Sequence, residues 1–262
     1  MLSTDAAVAG VHADLALVGL DDLGWKAVTA AVSDIGAMGA VPRWALVTLC
    51  LPHGVDLDRL AAGLADAAAT WSCPVVGGDL TSADQLVVSV AVAGDLAGDR
   101  PAVTRAGASA GDTLFVTGPL GASSAGLRLL RAGTTDGPLV AAHRRPAARL
   151  AEGVAARDAG ATAMMDVSDG LSIDLHRLAD ASGVGFALDR LPAAPGATDD
   201  DALGGGEDYE LIVATADPDG LEAAFADAGL RPPVRIGRCN DDPATRLLAG
   251  RPLPVVGWQH SL

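Results

Sequence analysis

Aromatic residues are scarce in this chain: one tyrosine, three phenylalanines and four tryptophans among 262 residues, although half of the sequence is hydrophobic. The core must therefore be built from Ala, Val and Leu, which suits α/β layers. Cysteine is equally sparse. Cys50, Cys73 and Cys239 are odd in number, far apart and form no C-x-x-C pair, which argues against a disulfide framework or a zinc site and reads as buried thiols in a reducing cytoplasm. Lysine is almost missing: Lys26 is alone among 18 basic residues, and 33 acids leave a formal charge of −15. A surface of that sign repels nucleic acid and anionic membranes, so neither is an expected partner. An anionic substrate would have to bind through metal ions or a few local arginines. No apolar run reaches the roughly 18 residues that a membrane span needs, and no signal peptide is apparent.

What the chain does have is acids placed where apolar sequence ends. Met164-Met165-Asp166-Val167-Ser168-Asp169-Gly170-Leu171 runs from a strand-like stretch into an amphipathic helix over Ser172 to Ala181, with Leu171, Leu175 and Leu178 on one stripe. A helix start offers free backbone N–H groups to anions, and carboxylates beside it can hold a hard cation that in turn holds phosphates. Taken alone, simple capping by Ser168 or Asp169 is the better reading. The pattern recurs, however, at Asp5, Asp34, Gly77-Gly78-Asp79 and Gly204-Gly205-Gly206-Glu207-Asp208. An unpaired buried carboxylate is costly, so several such acids converging would make a metal site.

The periodicity predicts two mixed α/β blocks, with a boundary near residue 100 (domains 1–100 and 101–262). In the first block, residues 6 to 18 lean towards extended structure and Trp25 to Met38 is a helix. Trp44 to Leu51 is a strand, Leu57 to Trp71 a helix, and Val75-Val76 a short strand that turns at Gly77-Gly78-Asp79. Gln85 to Ala93 is a strand whose near-continuous apolarity implies burial on both faces. In the second block, strands are expected at 113–117, 162–166, 184–188, 209–214 and 234–237, with helices at 124–131, 139–159, 172–181 and 218–228. The fold class is α/β (α+β).

Among the motifs, Asp34 in an alanine-rich helix is read equally well as a solvated residue or a functional one. Gly36 and Gly39 beside it point to close backbone approach. Gly77-Gly78-Asp79 could admit a bulky anion, although an ordinary turn is the commoner meaning. Gly118-x-x-Gly121 at a helix start is a second possible phosphate cradle, without the Lys of a Walker A loop. His12 alone is more often a satisfied polar residue than a ligand, and Trp258 could stack on a flat heterocycle or simply pack. Ser168 has no recognisable triad partners.

In order, Gly24-Trp25-Lys26-Ala27, Ser33-Asp34-Ile35-Gly36-Ala37-Met38-Gly39-Ala40, Gly77-Gly78-Asp79, Arg105-Ala106-Gly107-Ala108 with Gly111-Asp112, Asp166-Val167-Ser168-Asp169-Gly170-Leu171 and Gly205-Gly206-Glu207-Asp208-Tyr209-Glu210-Leu211 resemble the thiamine-monophosphate kinases, from residue 3 to Trp258. Several motifs are shared with the wider superfamily of aminoimidazole ribonucleotide synthetase, selenophosphate synthetase and a hydrogenase maturation factor. The Gly-Gly-Glu-Asp-Tyr-Glu-Leu segment and the closing Gly257-Trp258-Gln259-His260 are more particular to the kinase. The resemblance implies a PurM-like fold with an N-terminal domain that pairs across a homodimer and ATP held between the two domains. It implies transfer of the ATP γ-phosphoryl group to thiamine monophosphate, with several Mg²⁺ ions. Carried over, Asp5, Asp34, Asp79, Asp166 and Asp169 match metal ligands. Ser3, Thr4, Gly78, Asp79, Arg105 and Ser168 match positions near metal or ATP, and His12, Glu207 and Trp258 match substrate positions. Asp166, Asp169 and Arg105 are the expected catalytic groups.

Three departures stand out. Ala13 replaces an aromatic, the stretch from Leu191 to Gly204 is short enough to lose a surface helix, and the chain begins at Met1-Leu2-Ser3 where relatives carry a further segment with a Gly-Asp-Asp metal ligand. The expectation is that the natural reading frame extends upstream, or that this chain is a poorly active fragment. Another ATP-dependent member of the superfamily, or a paralogue that binds without turnover, is the alternative. Cys239, Cys50 and Cys73 match poorly the reactive cysteines that the maturation factor or selenophosphate synthetase would need.

Overall fold

The computed structural model describes residues 1–259. Two sheets organise them. The first has the order β1-β4-β2-β3, built from β1 (Leu2–Val8), β2 (Val41–Leu51), β3 (Val75–Ser82) and β4 (Val87–Asp95). Helices α1 (Leu20–Ala37) and α2 (Leu57–Thr70) cover one of its faces. Alternation decides which side is buried: Leu86, Val88, Val90 and Val92 face α1, together with Ala45, Val47 and Leu49 of β2.

The opposite face is uncovered, contrary to the expectation of burial on both sides. Register places Leu2, Trp44 and Leu46 there, with Thr4, Ala91, Thr48 and Asp79, and Leu2 is 82% exposed, Trp44 50% and Leu46 51%. Small residues such as Ala91 and Ser89 made the β4 run look apolar throughout without giving it anything to pack against.

The Gly77-Gly78-Asp79 stretch is strand interior rather than a turn: β3 pairs in parallel with β2 from Val75 to Ser82. Gly78 has φ +153°, and a Cβ there would lie 1.8 Å from the Val47 carbonyl oxygen. The glycine serves strand-to-strand approach, so the turn reading gives way to a strand one.

The second sheet has the order β11-β10-β7-β9-β5-β8-β6. Its strands are β5 (Thr113–Val116), β6 (Ala163–Asp166), β7 (Gly185–Leu188), β8 (Leu211–Thr215), β9 (Val234–Asn240), β10 (Arg246–Leu248) and β11 (Arg251–Pro252). Helices α3 (Ala122–Arg131), α4 (Pro138–Arg144), α5 (Leu150–Asp158), α6 (Leu171–Ser182), α7 (Asp199–Gly204) and α8 (Pro218–Asp227) accompany it. Leu171, Leu175 and Leu178 of α6 are fully buried against one face, and Leu221 and Phe225 of α8 pack on the other beside Phe115. The helix expected over 139–159 is two helices, because Arg145 precedes Pro146 and leaves the helical region at φ −133°, ψ 71°. The shortened stretch ends in a short helix, α7, which Thr198 and Asp201 cap reciprocally.

The sheets meet through α1, which contacts α5 and β6 as well as its own sheet. Gly36 of α1 and Gly153 of α5 permit that meeting: a Cβ on Gly153 would fall 2.0 Å from the Gly36 carbonyl oxygen. This close approach, read from Gly36 and Gly39 in the sequence, lays one side of α1 along the junction.

Candidate active site

Along α1, the side chains of residues 26, 33 and 34 lie on one side, spanning about 12 Å from Lys26 to Asp34 at 1.5 Å per residue. Each reaches another element. Asp34 accepts a hydrogen bond from Ser3 Oγ of β1 at 2.6 Å, Ser33 Oγ donates to Asp166 Oδ2 at the end of β6 at 2.5 Å, and Lys26 Nζ donates to Glu207 Oε2 at 2.7 Å. Asp34 is thus neither outward nor free: it is half-buried where β1, α1 and β6 converge.

The acids at this convergence perturb one another. Burial, then the Asp34 charge, pushes the Asp166 carboxyl up to about 7, against the pull of its bond from Ser33. Burial also raises Asp34, partly offset by Ser3 and by the nearby Arg105 guanidinium. Asp5 opens to solvent at the rim, yet the protein around it, together with Asp34 and Asp169, raises its carboxyl as well. Like charges crowded in partly desolvated surroundings favour the protonated form, and a cation would reverse that preference. Carboxylates and hydroxyls form an all-oxygen donor set, which fits a hard cation. Among the described residues no three of these side chains are already gathered as a ligand group. Mg²⁺ ordinarily takes only one or two carboxylates, with waters and substrate phosphates completing its shell, so the residues fit it.

Both helix starts that could cradle phosphate are filled from within. Asp174 Oδ2 accepts the backbone N–H groups of Ser168, Asp169 and Gly170 at 3.1, 2.9 and 3.1 Å, so the donors of the loop that leads into α6 are taken. Neither Ser168 nor Asp169 caps α6; its N-cap is Gly170, and Asp169 is bound by Arg177. At the start of α3, Asp208 accepts from Gly121 at 2.5 Å and from Ser123 at 3.1 Å. The Gly118-x-x-Gly121 segment is therefore the seat of the protein's own carboxylate. Burial pushes both Asp174 and Asp208 up to about 6.

A cleft of about 860 Å³ opens beside the acids, lined by Asp5, His12, Lys26, Ser168, Asp169, Glu207, Tyr209 and Trp258, among others. His12 Nδ1 accepts the Val8 N–H at 2.9 Å. Trp258 is 45% exposed, and its backbone N–H donates to the Asp169 carbonyl at 2.9 Å, which ties the end of the described chain to the 168–170 loop. His260 lies outside the described residues. The 207–210 segment zips onto 167–168 through backbone bonds from Glu207 to Ser168, Tyr209 to Val167 and Val167 to Glu210. Gly206 lets it do so, since a Cβ would sit 2.4 Å from the Ser168 carbonyl oxygen. Glu207 and Tyr209 both carry positive φ, +64° and +51°, a strained arrangement typical of residues held for function.

The structure thus brings Ser3, Asp5, Asp34, Asp166, Ser168 and Asp169 together beside the cleft, with Arg105 near Asp34; His12, Glu207 and Trp258 line the same cleft, His12 within reach of the Asp5 charge and Glu207 and Trp258 tied through their backbones to Ser168 and Asp169. It does not bring Thr4 or Asp79 there: in register they belong to the open face of the first sheet, and β3 is three strands from β1. Sequence reasoning missed Asp174, Asp208 and Glu210 as organisers. Glu210 is buried and accepts from Arg149, Arg231 and Thr117, joining three elements. The only sequence signal was an acid among apolar residues. Lys26, distant in sequence from the glycine motifs, is brought by the fold to Glu207.

Family models for AIR synthase related proteins match both parts of the chain, the N-terminal domain over residues 1–96 and the C-terminal domain over 109–249. Thiamine-monophosphate kinase of Mycobacterium tuberculosis is 38% identical over 277 residues, covering 99% of this chain and 80% of that protein. That of Aquifex aeolicus is 33% identical, covering 99% and 87%. Among solved structures, AaThiL complexed with AMPPCP and TMP superposes with TM-score 0.86 at 31% identity, covering 99% of this chain and 86% of that one. Escherichia coli HypE, at 24% identity and TM-score 0.77, shares the fold, covering 100% of this chain and 85% of that one. With motifs, cleft and both domain matches in agreement, the chain belongs to the AIR synthase related proteins and, within them, to the thiamine-monophosphate kinase family.

Proposed function

We propose that the protein transfers the γ-phosphoryl group of ATP to the phosphate of thiamine monophosphate, giving thiamine diphosphate. The observation that carries this reading is the crowding of carboxylates beside the cleft, while Asp174 and Asp208 occupy backbone donors at the two helix starts that would otherwise hold phosphate directly. A polyphosphate can approach such an acidic end only with cations, and phosphoryl transfer needs mainly positioning and charge neutralisation. Asp5, Asp34, Asp166 and Asp169 would hold Mg²⁺, which when bound supplies that neutralisation. Arg105 adds a direct cationic contact, and Ser3 and Ser168 border the nucleotide. The acceptor is a phosphate monoester, already mostly ionised at neutral pH, so no side chain need remove a proton from it. In the same cleft, Trp258 offers an indole face to the flat heterocycles of the substrate, with His12 and Glu207 as polar residues of the lining.

The open face of the first sheet, with Leu2, Trp44 and Leu46 uncovered, is assigned to pairing with a second copy. Thr4 and Asp79 share that face, so their contact with nucleotide or metal is made where two copies meet. The division between domains is placed near residue 100, between the two family matches. The free cysteines support a reducing, cytoplasmic setting, and no helix among the described residues is long and apolar enough to cross a membrane.

The direct test supplies ATP, Mg²⁺ and thiamine monophosphate and looks for the diphosphate. Folded protein that makes none, but phosphorylates another acceptor, overturns the reading.

A further inference from the structure

Lys26 is the only lysine of the chain, is 3% exposed, and sits on the cleft wall with its ammonium 2.7 Å from Glu207 Oε2. A buried ammonium without a partner is expensive, and this partner comes from 181 residues away, across the junction of the two sheets. Glu207 is held to match. Its backbone takes a left-handed conformation at φ +64°, its N–H is anchored on the Ser168 carbonyl, and its side chain keeps 27% exposure to the cleft. His143 lies on another side, its Nδ1 3.7 Å from the same carboxylate oxygen. Burial, with Lys26, Arg131 and Arg144 around it, pushes His143 down to about 3, so it is neutral and does not compete with Lys26 as a cation. One carboxylate oxygen is therefore committed to a fixed ammonium while the side chain still opens to the cleft wall that also carries Trp258.

We propose that Lys26 is a positioning residue for the acceptor substrate: by fixing Glu207 it aims that carboxylate at a flat, N–H-bearing or cationic heterocycle, and so sets affinity for the acceptor and not for the nucleotide. Lys26 stands about 12 Å along α1 from Asp34, so one helix holds Glu207 through Lys26 and contributes Asp34 to the acids expected to hold metal. The inference rests on the kinase reading above and adds a residue to it.

The test is steady-state kinetics and calorimetry with thiamine monophosphate and with ATP on wild type, Lys26→Met, Lys26→Arg, Glu207→Gln and the Lys26→Met/Glu207→Gln pair, each checked by thermal melt for folding. Lys26→Met should raise KM and Kd for thiamine monophosphate on the order of tenfold, as for a lost charged hydrogen bond, while the KM for ATP and kcat change far less. Lys26→Arg should recover part of the affinity. The double variant should be little worse than Glu207→Gln alone, since both changes break one device. Wild-type protein that makes no diphosphate overturns the kinase reading itself. Wild-type turnover, with Lys26→Met weakening both ligands alike or with the two single penalties multiplying in the pair, overturns the role of Lys26 alone.

Discussion

Asp166 is the residue where burial and charge crowding act most directly. Its carboxyl is pushed up to about 7 by burial and by Asp34, so the folded chain holds a proton that the unfolded chain releases at lower pH. Between about pH 4 and about pH 7 the folded state binds more protons, and the stability contributed by this group falls as pH rises through that window. Melts of metal-free protein should show a shallower fall over this range for Asp166→Asn than for wild type, with equal or higher stability at neutral pH. Activity of the same variant should drop by orders of magnitude. A neutral-pH destabilisation would mark the Ser33–Asp166 bond as structural instead. Trp258 makes the complementary case: it is half-exposed and anchored through its backbone, so truncation removes a stacking face with little loss of core. Trp258→Ala should raise the KM for thiamine monophosphate about tenfold, within the roughly 1–3 kcal/mol of heterocycle stacking, and spare that for ATP. Equal weakening of both would make the indole a packing group.

At the scale of elements, the start of α6 is an anion site that the chain occupies itself. Three consecutive N–H groups converge on Asp174 Oδ2, which fixes the 168–170 loop and hence the aim of Ser168 and Asp169. Asp174→Ala leaves those donors without an acceptor at a cost of about 1–3 kcal/mol or more. It should lower the melting temperature, and sulfate or phosphate should restore more stability to the variant than to wild type, because the helix start then binds an anion from solution. Identical sulfate responses in the two proteins would show that the vacated donors turn elsewhere.

For the whole molecule, the question is what covers the open face of the first sheet. Leu46 lies in its middle, paired in register with Ala91 and Gly77 and itself half-exposed. A charge there leaves the folded protomer intact but opposes apolar pairing of two copies. Leu46→Glu should shift the protein from dimer to monomer in sedimentation or light scattering, with an unchanged far-ultraviolet spectrum. A wild type that sediments as a monomer at micromolar concentration defeats the assignment.

The sequence by itself determined most of the strands and helices but not α7, β10, β11 or the break between α4 and α5; it also determined the stripe of Leu171, Leu175 and Leu178, the alternation of Leu86 to Val92, and the suspicion that Asp34 and Asp166 serve one purpose. These are signals of local period, or of an acid where local packing gives it no reason, and both survive in one dimension. Only the tertiary structure decided that Gly77-Gly78 is strand interior, since the clash that demands Gly78 comes from the Val47 carbonyl on a neighbouring strand. It also decided that Asp174 and Asp208 close the helix starts, that Lys26 meets Glu207, and that Thr4 and Asp79 face away from Asp5. Most of these depend on partners 31 to 181 residues apart in the chain, and the exception, Asp174, depends on a loop bending back on its own helix. A short polar side chain carries no local mark of which distant donor, strand or acid the fold will set against it.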